Sequence, residues 1–135
     1  MMMDEQKMSK LVNGYFDAVQ GGDVEKMMTY YHDDAVIWRN IENEELNAIE
    51  NMKFIMRRAS DLTTNRRYED RKLTVFPGGF VLRAVLRATR KYDGAPLEMQ
   101  SCAFGLVENG KITRLEGYFD SAEANEFRAY PDAGQ

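Results

Sequence analysis

The chain is poor in the residue types that most enzymes use to announce themselves. Its 135 residues include one cysteine, Cys102, and one histidine, His32. A lone cysteine excludes an intrachain disulfide and makes the cytoplasm the expected location. A lone histidine excludes a multi-histidine metal site, and no zinc spacing or phosphate-cradling glycine loop occurs. No metal or cofactor is therefore expected. The opening MMMDEQKMSK has no apolar signal core, and no apolar run is long enough to cross a bilayer, so no membrane role is expected. Only three prolines interrupt the chain, and no repeat, linker or low-complexity tract divides it. One domain spanning 1–135 is expected, large enough to bury about two-thirds of the surface its unfolded chain exposes.

What is present is an ordinary globular composition, 44% hydrophobic and 30% charged. Net charge is −4 but unevenly spread, with eleven basic and three acidic residues between Lys53 and Lys91. Such a block marks a nucleic-acid surface or basic strands pairing with acidic neighbours. The basic residues lack the interleaved aromatics on which bases stack, and the chain as a whole is acidic. No nucleic-acid partner is expected.

Apolar periodicity predicts the elements. Met8, Leu11, Val12, Tyr15, Phe16 and Val19 share one face of a first helix, stopped by Gly21-Gly22. Asp23 caps a second helix with the face Val24, Met27, Met28 and Tyr31, broken at His32-Asp33-Asp34. Ala35 to Trp38 reads as a strand. Asn43 with Glu44 and Glu45 reads as the start of a third helix, striped by Leu46, Ile49, Met52, Ile55, Met56 and Ala59. Ser60 to Asn65 reads as a loop. Four strands are then predicted: Arg66–Phe76, Phe80–Tyr92, Leu97–Glu108 and Ile112–Asp120, with the sharpest turn at Asn109-Gly110. Ser121 reads as the cap of a short last helix whose Phe127 and Tyr130 dock on the domain. Helices followed by an antiparallel meander define an α+β class, and a strongly curved sheet around helices makes a cone open at one end.

The run from Tyr15 to Trp38, "YF.A...GD.......Y..DA..W", and the closing Gly110-Lys111-Ile112-Thr113-Arg114-Leu115-Glu116-Gly117-Tyr118-Phe119-Asp120 resemble SnoaL-like and ketosteroid-isomerase-like proteins. These lie within the nuclear-transport-factor-2-like superfamily, and the resemblance covers about residues 6 to 127. It implies the cone-shaped α+β fold, three N-terminal helices on a curved antiparallel sheet, and a homodimer formed through that sheet. Outward Val81, Val85 and Tyr118 fit such a partner surface. It does not by itself fix a reaction.

In ketosteroid isomerases a first-helix tyrosine, eight residues before the aspartate of the second helix, donates to the substrate oxygen. Tyr15 stands eight before Asp23 and matches it; otherwise it is one more member of an apolar face. The isomerase's base, four residues after the alanine of the "DDA" motif, falls on Arg39, which stays protonated and cannot abstract a proton. The family's second donor, a protonated aspartate, falls within one residue of Cys102. The acid that SnoaL-like sequences carry beside the last strand's tyrosine falls on Gly117. The isomerase mechanism therefore does not transfer.

On this register the cone is lined by Tyr15, Arg39, Met52, Met56, Ala84, Leu86, Ala88, Cys102, Phe104, Leu115, Gly117 and Phe119. A slip of one residue substitutes Trp38 and Asn40 for Arg39. Arg39 is either an anion-binding group in the pocket or a rim arginine paired with Asp33, Asp34 or Glu42. His32 reads as a turn residue or a base, and Cys102 as a small packed hydrophobe rather than a nucleophile. Asp120, Glu116 and Arg114 read as a charge ladder, and Asp17 as solvated. Two functions fit. One is cofactor-free isomerase, cyclase or hydrolase chemistry on a small apolar or aromatic carbonyl compound, with Tyr15 as donor and Arg39 stabilising an anion. The other is a non-catalytic module binding a small apolar or anionic organic ligand, or a dimeric interaction module, which kept the cone and lost the acids.

Overall fold

A computed structural model describes residues 4–129. Helix α1, Glu5–Gly21, begins where the Asp4 carboxylate accepts from the Lys7 backbone N–H. It ends at Gly22, whose φ of 73° is the left-handed conformation glycine takes without strain. Its predicted apolar face is buried throughout. Helix α2, Val24–Met28, is capped by Asp23 and is shorter than the spacing predicts. Tyr31 does not lie on its face. Strand β1 runs Tyr31–Arg39, so His32, Asp33 and Asp34 are strand residues and Tyr31 is buried in the core.

The third helix also starts later than Asn43. Asn43 sits in a left-handed turn at φ 55°, and Glu45–Asn47 forms a short strand, β2, paired with Val36–Trp38. Asn47 is the cap of helix α3, Ala48–Leu62. An Asn followed by two Glu has cap chemistry, but the equally good cap four residues on leaves room for the edge strand. Ser60 to Asn65 is not a loop: α3 runs to Leu62 and strand β3, Thr63–Phe76, begins at once. Strands β4 (Gly79–Arg90), β5 (Pro96–Glu108) and β6 (Lys111–Phe119) follow, and helix α4 (Ser121–Arg128) is capped by Asp120 rather than Ser121. The expected docking of Tyr130 lies outside the described residues.

The six strands form one sheet in the order β2-β1-β6-β5-β4-β3. All neighbours are antiparallel except β1 and β6, which run parallel because the chain returns to β1 only after the meander is complete. Asn65 and Asp70 take positive φ where the β3–β4 register shifts, and such bulges bend and twist a strand. One face of the curved sheet packs on α1 and α3. A row crosses that face from Leu82 through Ala103 to Gly117, and the next from Ala84 through Ser101 to Phe119.

Three arginines of the meander pair with acids on it and on the adjoining helices. Arg71 meets Asp17, Arg87 meets Glu69, Asp70 and Glu98, and Arg90 meets Asp93 and Glu126. Arg71, Arg87 and Arg90 of the basic block are thus paired with acidic neighbours on its own strands and on adjoining elements.

Candidate functional site

Between the sheet, α1 and α3 lies a cavity of about 190 Å³, with α4 across its mouth. Helix α1 contributes Tyr15, Phe16 and Val19, and α3 contributes Met52, Ile55, Met56, Ala59 and Leu62. The sheet supplies Ile37, Tyr68, Leu86, Met99, Ser101, Ala103, Leu115, Gly117 and Phe119, and α4 adds Ala124 and Phe127. Arg39, Arg58, Arg66 and Arg128 also reach it. Among the described residues no Asp or Glu lines the cavity, and no three His, Cys, Asp or Glu cluster to hold a metal.

The register of β1 turns Arg39 toward the cavity, together with Ile37. Its Nε donates to Glu42 Oε1 at 2.6 Å, so Arg39 both faces the cavity and is paired at its rim. Glu42 Oε2 lies 3.6 Å from Arg128 Nη1. One carboxylate thus joins the end of β1 to α4.

Tyr15 is almost wholly buried, and its hydroxyl shares a hydrogen bond with the Tyr31 hydroxyl. Burial raises both phenols above the ordinary tyrosine range, Tyr15 further through its neighbours Tyr31 and Tyr68. Both stay neutral at physiological pH and serve as donors or acceptors, not as bases. A third phenol, Tyr68 on β3, was not legible in the sequence. Burial raises its pKa too, against the opposing fields of Arg66, Arg39 and Arg71. Its backbone N–H is tied to Gln20, but its hydroxyl makes no hydrogen bond to any described residue. The one hint was an aromatic alone in the charged run Arg66 to Lys72. The bulges at Asn65 and Asp70 break the alternation that would have shown which way it points.

Of the residues expected at the pocket, Tyr15, Arg39, Met52, Met56, Leu86, Cys102, Leu115, Gly117 and Phe119 line this cavity. Trp38 does not. It lies on the other face of the sheet, its ring 5.2 Å from that of Tyr118 and its Nε1 donating to Asn43. Asn40 does not line it either; its side chain bonds the Phe119 backbone in both directions and prolongs the β1–β6 ladder. Ala84 and Ala88 are buried on the inner face without bordering the cavity.

Phe104 faces outward, stacked on Phe76 at 6.0 Å. Cys102 borders the cavity but pairs in register with the outward Arg83 and Tyr118, one step from the inward Ala103. A regular hairpin through Asn109-Gly110 would have set Cys102 opposite Gly117. The register shift at Leu106/Val107 gives β6 an extra residue and sets Ala103 there instead. His32 bonds the Glu108 carbonyl at the far end of β1.

The model of the SnoaL-like domain matches residues 12–115, and the chain belongs to that family. A candidate polyketide cyclase of Xanthomonas campestris superposes with a TM-score of 0.80 at 19% identity, covering 92% of this chain and 98% of its own. A candidate SnoaL-like polyketide cyclase of Shewanella denitrificans gives 0.78 at 10% identity, covering 91% and 96%. A protein of ketosteroid-isomerase-like fold from Catenulispora acidiphila, in complex with trimethylamine, gives 0.74 at 14% identity, covering 90% and 93%. These likenesses show the nuclear-transport-factor-2-like fold. No curated protein matches the sequence. No helix among the described residues is long and apolar enough to cross a membrane.

Proposed function

We propose that this SnoaL-like domain binds one small organic molecule, of about the bulk of a substituted benzene ring, in the cavity beneath α4. The supporting observation is the cavity itself, about 190 Å³ with largely apolar walls. An apolar cavity of about 150 Å³ suffices for benzene. Its lining includes two polar groups able to donate, the phenol of Tyr68 and the guanidinium of Arg39. Tyr15 serves in pocket shape and, through Tyr31, as a shared phenol. With no carboxylate among the described lining residues, binding is favoured over proton abstraction.

Titration calorimetry with toluene tests this. Ala59→Phe places a ring inside the cavity and should lower toluene affinity at least about ten-fold, while Tyr118→Ala on the other face should leave it unchanged. Equal toluene binding by Ala59→Phe and the wild type would place the ligand elsewhere.

One observation favours cofactor-free catalysis on a small carbonyl compound as a second reading. The hydrogen-bonded Tyr15–Tyr31 pair is a ready donor to a developing oxyanion, suited to isomerisation, cyclisation or hydrolysis. Deuterium exchange at the methyl group of acetophenone, no faster with protein than in buffer, would remove it.

The outer sheet face carries Val81, Phe104, Trp38 and the exposed Leu106 and Tyr118, which supports a homodimer through the sheet. Light scattering should give twice the 15.6 kDa chain mass at micromolar concentration. A monomer at high micromolar concentration would refute the dimer.

A further inference from the structure

Two arginines at the cavity mouth, Arg39 and Arg128, pair with one carboxylate among the described residues. They share Glu42, at 2.6 and 3.6 Å respectively. Arg39 spends only its Nε on Glu42, and its two terminal nitrogens hydrogen-bond no described residue. Held side-on in this way, a guanidinium keeps its end-on edge, a flat pair of N–H donors whose spacing matches two carboxylate oxygens. The hydroxyl of Tyr68, which lines the same cavity as Arg39, is likewise without a hydrogen-bond partner among the described residues. A neutral phenol donates to an anion as readily as it does to a carbonyl.

We propose that the ligand of this cavity is an organic carboxylate, received by the free edge of Arg39 and the Tyr68 hydroxyl, and that Glu42 is the positioning residue that holds Arg39 to receive it. This rests on the reading that the cavity binds a small molecule. The incoming carboxylate meets the guanidinium edge that Glu42 leaves open. Glu42 sets the direction of the guanidinium by fixing Nε, which neither terminal nitrogen could do without closing the edge. The apolar body then lies against Met52, Met56 and Leu86.

Calorimetric titration with three probes of one shape, benzoate, benzamide and toluene, tests the assignment. Wild type should prefer benzoate to benzamide by about ten-fold or more, the scale of a charge-assisted hydrogen bond. Arg39→Met should erase that preference while toluene still binds, and Tyr68→Phe should reduce it. Glu42→Ala should lose most of it. Glu42→Gln should keep it, because the glutamine carbonyl accepts the same bond from Nε. A residue of merely structural importance would change all three affinities together and leave their ratio intact. Toluene and benzamide binding as well as benzoate would overturn the carboxylate assignment and leave the small-molecule reading standing. An undiminished preference in Glu42→Ala would overturn the role of Glu42. Binding of none of the three would refute the cavity reading and this inference with it.

Discussion

Tyr15, Tyr31 and Tyr68 are three of seven tyrosines, and burial raises the pKa of each. In the unfolded chain each ionises near pH 10. Above that pH the unfolded state has released protons that the folded state still holds, so the unfolded state binds fewer and stability falls as pH rises. The contribution is complete below about pH 10 and is lost through the higher folded pKa values, at a slope near 1.4 kcal/mol per pH unit for each phenol. Denaturant midpoints measured from pH 9 upward should therefore drop steeply. Tyr31→Phe should flatten the drop, and an unaltered slope in that variant would show that Tyr31 titrates like a solvent-exposed tyrosine. Tyr15 was legible as a candidate because helical spacing fixes a face. Tyr68 was not, because a strand's face is read by counting and its strand carries two bulges.

The same arithmetic governs whole elements. Helix α1 and the Asn109-Gly110 hairpin were readable because caps and left-handed turns are local chemistry: Gly22, Asn109 and Gly110 all take positive φ. The inner and outer faces of β5 were not, since one extra residue in β6 moves every upstream partner by one. Phe104 was assigned to the wrong face for that reason, while Cys102 still borders the cavity from its shifted register. The structure predicts where this register is least tolerant of change. A Cβ on Gly105 would collide with the ring of the fully buried Phe80. Gly105→Ala should cost about 1–3 kcal/mol, the usual range for overpacking, measured as a lower denaturant midpoint at unchanged slope. A variant as stable as the wild type would mean that Phe80 has room to move.

At the scale of the whole molecule, the fold was the most legible feature and the site the least. Amphipathic helices followed by alternating strands leave few ways to bury both, whereas the cavity is assembled from elements far apart in the chain, in an order that no pattern announces. The acids expected of the family stand here as Arg39, Cys102 and Gly117, and the structure gathers arginines and phenols in their stead. Methionines offer the most direct view of whether a ligand enters. Met52, Met56 and Met99 line the cavity, while Met8 and Met27 are buried in the core without touching it. With methyl-labelled methionine, titration with toluene should shift the Met52, Met56 and Met99 resonances along one binding curve and leave Met8 and Met27 in place. Shifts confined to Met8 and Met27, or none at saturating probe, would contradict a ligand cavity beneath α4.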